Sequence, residues 1–353
     1  MHSTGGDKVE PTTQTVSITS SPNEPGSAIG RALLQLGGRQ ALPVLIATIL
    51  LFVVAAVFVP KTLTPASVVA ILVPAGISAV AAIGQTLVIQ QKGIDLSVGG
   101  VMTLAAVASG IFSSNGLPFW LVLLIVAVLS LASGLLNGLL VTRVHITPLL
   151  ATLASNSLII GVVWTVSGGQ AKLAPEELRT IASGSFLGLP LIAWIAVILV
   201  VIVAIVMSKS LFGRRFTAVG SSPAAALAGG VNVRGYILFS YVIAGAFGGL
   251  AGLLLAGYAG QTTYDLGVNY MLPVIAAVVI GGAALTGGRG SVVATAFGCL
   301  LLSLVVQMVL TLGAPTSMQL LVQSLVLAVA AGIRLFPWSR VGALLRSRRR
   351  APA

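Results

Sequence analysis

Between residues 41 and 335 the chain is a string of apolar runs separated by short polar joints, and few folds accommodate such a string. The runs fall at 41–59, 66–91, 98–114, 117–141, 147–167, 190–208, 235–257, 270–287, 290–312 and 316–335. About 20 apolar residues in helical conformation cross the hydrocarbon core of a bilayer, and each run has roughly that length. Only 7% of the 353 residues are charged. A soluble domain carries roughly 25%, so this chain lacks the polar surface that a water-facing fold of its size needs. In lipid the backbone must satisfy its own hydrogen bonds, which makes helices the reading for runs of this length. The fold class is all-α: a polytopic transmembrane helical bundle of about ten spans. The 41 glycines suit it, because small residues let helix backbones approach closely in a membrane. In AGAFGGLAGLLLAG, from Ala244 to Gly257, glycines four apart (Gly245 and Gly249, Gly248 and Gly252) read as such packing seams.

Positive charge sets the orientation. With an even number of spans both termini lie on one side, and placing them in the cytoplasm puts sixteen Lys and Arg inside: Lys8, Arg31, Arg39, Lys92, Arg143, Lys209, Arg214, Arg215, Arg234, Arg289, Arg334, Arg340, Arg346, Arg348, Arg349 and Arg350. Only Lys61, Lys172 and Arg179 fall outside, as the positive-inside rule requires. Residues 1–39 are expected to be a disordered cytoplasmic tail, 40–336 the membrane domain with a cytoplasmic loop at 209–234, and 337–353 a basic cytoplasmic tail. That last segment, with RSRRR at its centre, is expected to rest on anionic membrane lipid. The net charge of +12 therefore reports topology, and no nucleic-acid partner is expected, since the cations are dispersed and few aromatics accompany them.

The loop KSLFGRRFTAVGSSPAAALAGGVNVR, Lys209 to Arg234, is too polar for lipid yet carries ordered helix signals. Ser222 stands at an N-cap, Pro223 at the first helical position, and Ala224, Ala225, Ala226, Leu227 and Ala228 are good helix formers. Gly229 and Gly230 supply a left-handed stop. A helix this short is marginal alone and needs a surface to lie against. Either it packs on its own protein, or its apolar side, flanked by Arg214, Arg215 and Arg234, docks into a cytosolic partner. On the outside, the loop at about 168–189 contains PEELR, a short helix after Pro175, and is either solvated or a landing place for an external partner.

Two glycine-broken stretches interrupt the apolar runs: GIDLSVGG, Gly93 to Gly100, and GGAALTGGRGS, Gly281 to Ser291. Unwound backbone at membrane depth is tolerated where it is buried in protein or lines a wet path, so such stretches point to a solute pathway. Asp95 either pairs with Lys92 or caps the next helix, or, if deep, is functional by default. Gln85, Asn137, Thr152, Asn156, Gln307, Gln319 and Gln323 are neutral polar groups within spans, able to hydrogen-bond a polyhydroxy solute or to join helices. No nucleotide-binding loop, paired carboxylates, metal-ligand spacing or nucleophile elbow is present. Cys299 is the single cysteine. No catalytic residue, metal or cofactor is expected in this chain. An ion-coupled secondary transporter is the competing class, with only Asp95 available as an intramembrane carboxylate.

The motifs also resemble a known family. Gly93-Ile94-Asp95-Leu96-Ser97-Val98-Gly99 is similar to the GxDLSVG signature of sugar-type ABC importer permeases, the ribose/xylose/galactoside group. Ile280 to Ser291, with Gly287 and Gly288, resembles the same family's IGGxSLxGGxGS. Val219–Val231 with Tyr241–Gly257 resembles its cytoplasmic coupling region, and Asn137 to Asn156 resembles a further family stretch. The likeness covers about residues 65–336. It implies a multi-pass protein of the bacterial inner membrane that moves a monosaccharide or related polyol, or, in the related branch of the superfamily, a branched-chain amino acid. The implied partners are cytosolic ATP-binding subunits that hold ATP and magnesium, an extracytoplasmic sugar-binding protein, and a second permease copy, identical or not. Residues implied in coupling are Ser222, Pro223, Ala224, Ala225, Leu227, Ala228 and Gly229. Candidates for the pathway are Gly93, Asp95, Ser97, Gly99, Asn137, Thr152, Asn156, Gly287 and Gly288.

Overall fold

The computed structural model describes residues 28–335. They form thirteen α-helices: α1 (Ala28–Phe58), α2 (Pro65–Gln90), α3 (Val98–Ser114), α4 (Phe119–Thr142), α5 (Pro148–Ser167), α6 (Glu176–Ser183), α7 (Leu191–Lys209), α8 (Leu211–Ser221), α9 (Pro223–Ala228), α10 (Val233–Ala259), α11 (Met271–Ile280), α12 (Val292–Thr311) and α13 (Thr316–Leu335). Strand β1 (Lys172–Leu173) pairs antiparallel with β4 (Gln261–Thr262), and β2 (Ser185–Phe186) with β3 (Leu189–Pro190). These two ribbons lie outside the long helices.

Each of the ten apolar runs contains a helix, and among the described residues seven helices are long and apolar enough to cross a membrane. One run is shorter than the sequence reading: that at 270–287 is helical only to Ile280, after a 3-10 turn at Val268–Tyr270. The chain beyond Ile280 leaves the helix because Gly282, Gly287 and Gly288 all adopt positive φ, a conformation that side-chain-bearing residues rarely take. Helix α1 begins at Ala28, so residues 28–39 are helical rather than part of a disordered tail; their Ala, Leu, Arg and Gln content favours helix despite Gly30, Gly37 and Gly38. The rest of that tail, residues 1–27, and the basic segment at 337–353 lie outside the described residues.

Helices α2 and α10 form the centre. From Val73 to Gln90, helix α2 is buried at nearly every position, which a helix achieves only when surrounded on all sides. Its Gly84 lies against Ala244 of α10, where an added Cβ would stand 2.5 Å from Ala244 Cα. The small-residue seams of α10 divide between two neighbours. Gly245 and Gly249 abut Ser130 of α4, whereas Gly248 faces Val101 and Gly252 faces Met102 of α3. Backbones meet that closely only where no side chain intervenes, as helix association in lipid requires. By contrast α1, α4, α5 and α7 turn Leu50, Leu124, Leu158 and Ile198 outward, as expected of helices facing lipid.

Candidate functional site

The polar loop after α7 folds as two helices. Helix α8 is one that the sequence reading did not separate from the loop, though its signal is legible: Ser210 caps it, accepting from Gly213 N–H at 3.0 Å, and Phe212, Phe216 and Val219 recur at helical spacing. Phe216 is fully buried. Phe212 stacks on Tyr236 at a centroid distance of 5.3 Å and meets Phe216 and Phe239, so four rings brace α8 against the start of α10. Helix α9 follows after a single residue, Ser222, whose Oγ accepts from Ala225 N–H at 3.4 Å. At its other end Gly230 N–H donates to Leu227 O and Val231 N–H to Ala226 O, a Schellman pair made possible by the positive φ of Gly230. Gly230, not Gly229, is thus the left-handed residue.

Capping at both ends holds this short helix in one orientation. Ala226 points inward and is 6% exposed, while Ala224, Ala225, Leu227, Ala228 and Gly229 are exposed, Leu227 at 66%. Arg214 and Arg215 of α8 and Arg234 of α10 are exposed as well. One residue seats the helix on its own protein, and a small apolar face is left exposed.

The candidate pathway residues separate into two groups. Asp95, Ser97, Asn137 and Thr152 form a buried polar knot where the chain between α2 and α3 turns back into the bundle. Asp95 Oδ1 accepts from Ser97 N–H at 2.8 Å and from Ser97 Oγ–H at 2.6 Å, and Asn137 Nδ2 donates to Ser97 Oγ at 2.7 Å. Thr152 Oγ1 accepts from Leu96 N–H at 2.9 Å, and Asn156 Oδ1 from Gly100 N–H at 2.9 Å. The Gln85 amide, oriented to satisfy both partners, brackets the main chain of Asp95 by donating to its carbonyl at 3.0 Å and accepting from its N–H at 3.3 Å. Gln85 is five residues before the end of α2, which places Asp95 about 7 Å inside that helix terminus. Gly93 is pressed against the hydroxyl of Tyr241, and Gly99 against Gly267 and Met271. Asp95 does not pair with Lys92, being 3% exposed while Lys92 is exposed; its carboxylate closes on Ser97, the residue before α3, and gives that helix no side-chain cap. Gln85 thus serves the Asp95 main chain, Thr152 serves Leu96 N–H and Ile94 O, and the Asp95 carboxylate serves Ser97 N–H, partners that an unwound stretch needs away from water.

Gly287 and Gly288 lie elsewhere. They close the turn before α12 against Lys92, Gly220 and Ser221, at the end of α8. A recess of about 540 Å³ opens between α2, α6 and the end of α10, with Glu176, Arg179, Thr180, Ser183 and Tyr258 among its lining groups. The sequence reading had no signal for that recess, because it joins residues almost two hundred positions apart.

Comparison with known proteins follows the same lines. Residues 67–331 match the family described as branched-chain amino acid transport system / permease component. The chain is similar to the ribose import permease protein RbsC of Bacillus subtilis (strain 168), 32% identical over 298 residues that span 83% of this chain and 92% of that protein. Against RbsC of Haemophilus influenzae the figures are 29% over 290 residues, 81% and 90%. Against the galactose/methyl galactoside import permease protein MglC of Escherichia coli (strain K12) they are 29% over 291 residues, 76% and 86%. No solved structure is significantly similar. A membrane bundle of this make-up, matched from α2 to α13, belongs to the branched-chain amino acid transport system / permease component family.

Proposed function

We propose that this chain is the permease subunit of an ATP-binding cassette importer, moving a monosaccharide or related polyol across the bacterial inner membrane. The observation that carries the reading is α9, a doubly capped helix whose apolar face is exposed, between helices that expose Arg214, Arg215 and Arg234. Support for the solute class comes from the relatives, named as ribose and galactose import permeases. On this reading Ser222, Pro223, Ala224, Ala225, Leu227, Ala228 and Gly229 seat a cytosolic ATP-binding subunit, which holds ATP and magnesium; the chain itself binds neither and performs no catalysis. Both termini face the cytoplasm. An extracytoplasmic binding protein delivers the solute, and a second permease copy completes the pathway. Closure of the ATP-binding subunits displaces α9 and biases one of two bundle arrangements, which changes the side from which the pathway is open.

The neutral amides and hydroxyls of the knot suit an uncharged polyhydroxy solute in chemistry. Their bonds to one another give them a structural duty as well, and the Asp95 carboxylate, engaged by Ser97, is poorly placed to shuttle protons for an ion-coupled carrier. The test is uptake of radiolabelled D-ribose, D-galactose and D-fructose into proteoliposomes holding the complex with its ATP-binding subunits and binding protein. At least one sugar should accumulate, and only with ATP supplied to the cytosolic side. Accumulation by the chain alone under an ion gradient would refute the energy source. Leucine accumulating in place of the sugars would refute the solute class.

A further inference from the structure

Helix α2 ends in two adjacent glutamines whose side chains reach different elements. Gln90 Nε2 donates to the carbonyl of Gly290 at 2.6 Å, in the turn that opens α12. Gln91 Nε2 donates to the carbonyl of Phe216 at 2.8 Å, in α8. A main-chain tie reinforces the first, since Gly288 N–H donates to Gln90 O at 2.9 Å. Both side chains are 6% exposed. Because each Nε2 faces a carbonyl, the amide orientations are set, yet neither Oε1 has a hydrogen-bond partner among the described residues. Buried amide oxygens are nearly always satisfied, so each glutamine is held here by its single donated bond.

The surroundings have no slack. A Cβ at Gly220 would stand closer than 3.0 Å to Gln90 O, and one at Gly288 would meet both the side chain and the Cα of Ser221. Ser221 ends α8, and the next residue caps α9. A displacement of α9 thus arrives at Gly288 and at the end of α2 through one intervening residue. From there α2 continues through Gln85 to the main chain of Asp95.

We propose that Gln90 and Gln91 are positioning residues that relay movement of α9 to the glycine turn at 284–290, Gln91 tying the end of α2 to Phe216 of α8 and Gln90 tying it to Gly290. The proposal rests on the reading of α9 as the docking helix. Replacing either glutamine by an apolar side chain of similar size removes the link and leaves one main-chain carbonyl without that donor, so each variant without nucleotide serves as its own baseline.

The experiment is hydrogen–deuterium exchange of the complete complex in nanodiscs, with and without ATP plus vanadate, for the native chain, Gln90→Leu and Gln91→Met. In the native complex, residues 211–221 and 284–290 should change together on trapping. In the variants the change at 211–221 should persist while that at 284–290 falls about five-fold, the factor associated with one buried hydrogen bond. A purely structural role would shift both segments equally, with or without nucleotide. Native-like response at 284–290 in both variants overturns the relay and leaves the docking reading standing. No nucleotide response at 211–221 in the native complex overturns both.

Discussion

Truncating Leu227 to alanine isolates the contribution of one side chain to docking on the ATP-binding subunit. Full burial of a leucine contributes about 1.5–3 kcal/mol. With 66% of its surface free to be covered, Leu227 has about 1–2 kcal/mol to give on docking, before any loss of side-chain freedom. Since every 1.4 kcal/mol is tenfold, Leu227→Ala should weaken the affinity of the permease for its ATP-binding subunit by roughly 5–30-fold. The permease itself should be unaffected. The side chain touches little in the isolated chain, and alanine is the better helix former, so α9 keeps its caps and its length. The assay is biolayer interferometry of the nanodisc-embedded permease against the soluble subunit. Leu187→Ala serves as the control, because Leu187 is 78% exposed but lies with the β2–β3 ribbon at the start of α7, the opposite end of that helix from the loop carrying α9. A change under twofold for Leu227→Ala, or an equal change for Leu187→Ala, would refute the argument.

Two further outcomes concern the bundle. Gly249→Val should destabilise the protein by about 1–3 kcal/mol or more, because the added Cβ would overlap Ser130 across the α4–α10 seam, and cores resist overpacking to that extent. Thermal unfolding in detergent reads this, and an unchanged midpoint would mean that the seam can open at no cost. Ser97→Ala removes the hydroxyl donor to Asp95, leaves the main-chain one, and strands the Asn137 amide, at about 1–3 kcal/mol for the unpaired buried groups. Full stability in that variant would show that the knot is hydrated rather than closed.

Much of the architecture could be read from local pattern. Hydrophobic runs of membrane length are set by composition alone, since no neighbour is needed to make a twenty-residue apolar segment prefer lipid. Ser222, Pro223 and Gly230 act within one or two turns of themselves, so the α9 helix and its stop were visible before any packing was known. The glycine pairs of α10 were legible as contact seams for the same reason, though not the partners they would meet. What tertiary structure decided is everything that depends on two distant segments reaching one depth. Asp95 could be placed neither in water nor in lipid until Gln85, Asn137 and Thr152 from three helices were seen to close around its loop. The two glycine-broken stretches read alike, yet one is sewn into the bundle and the other sits beside α8, because Gly288 hydrogen-bonds to Gln90, 198 positions earlier along the chain (288 − 90). A backbone hydrogen bond between remote segments leaves no periodicity or composition behind it; it depends on the closest approach of two chains, and only the folded bundle sets that distance.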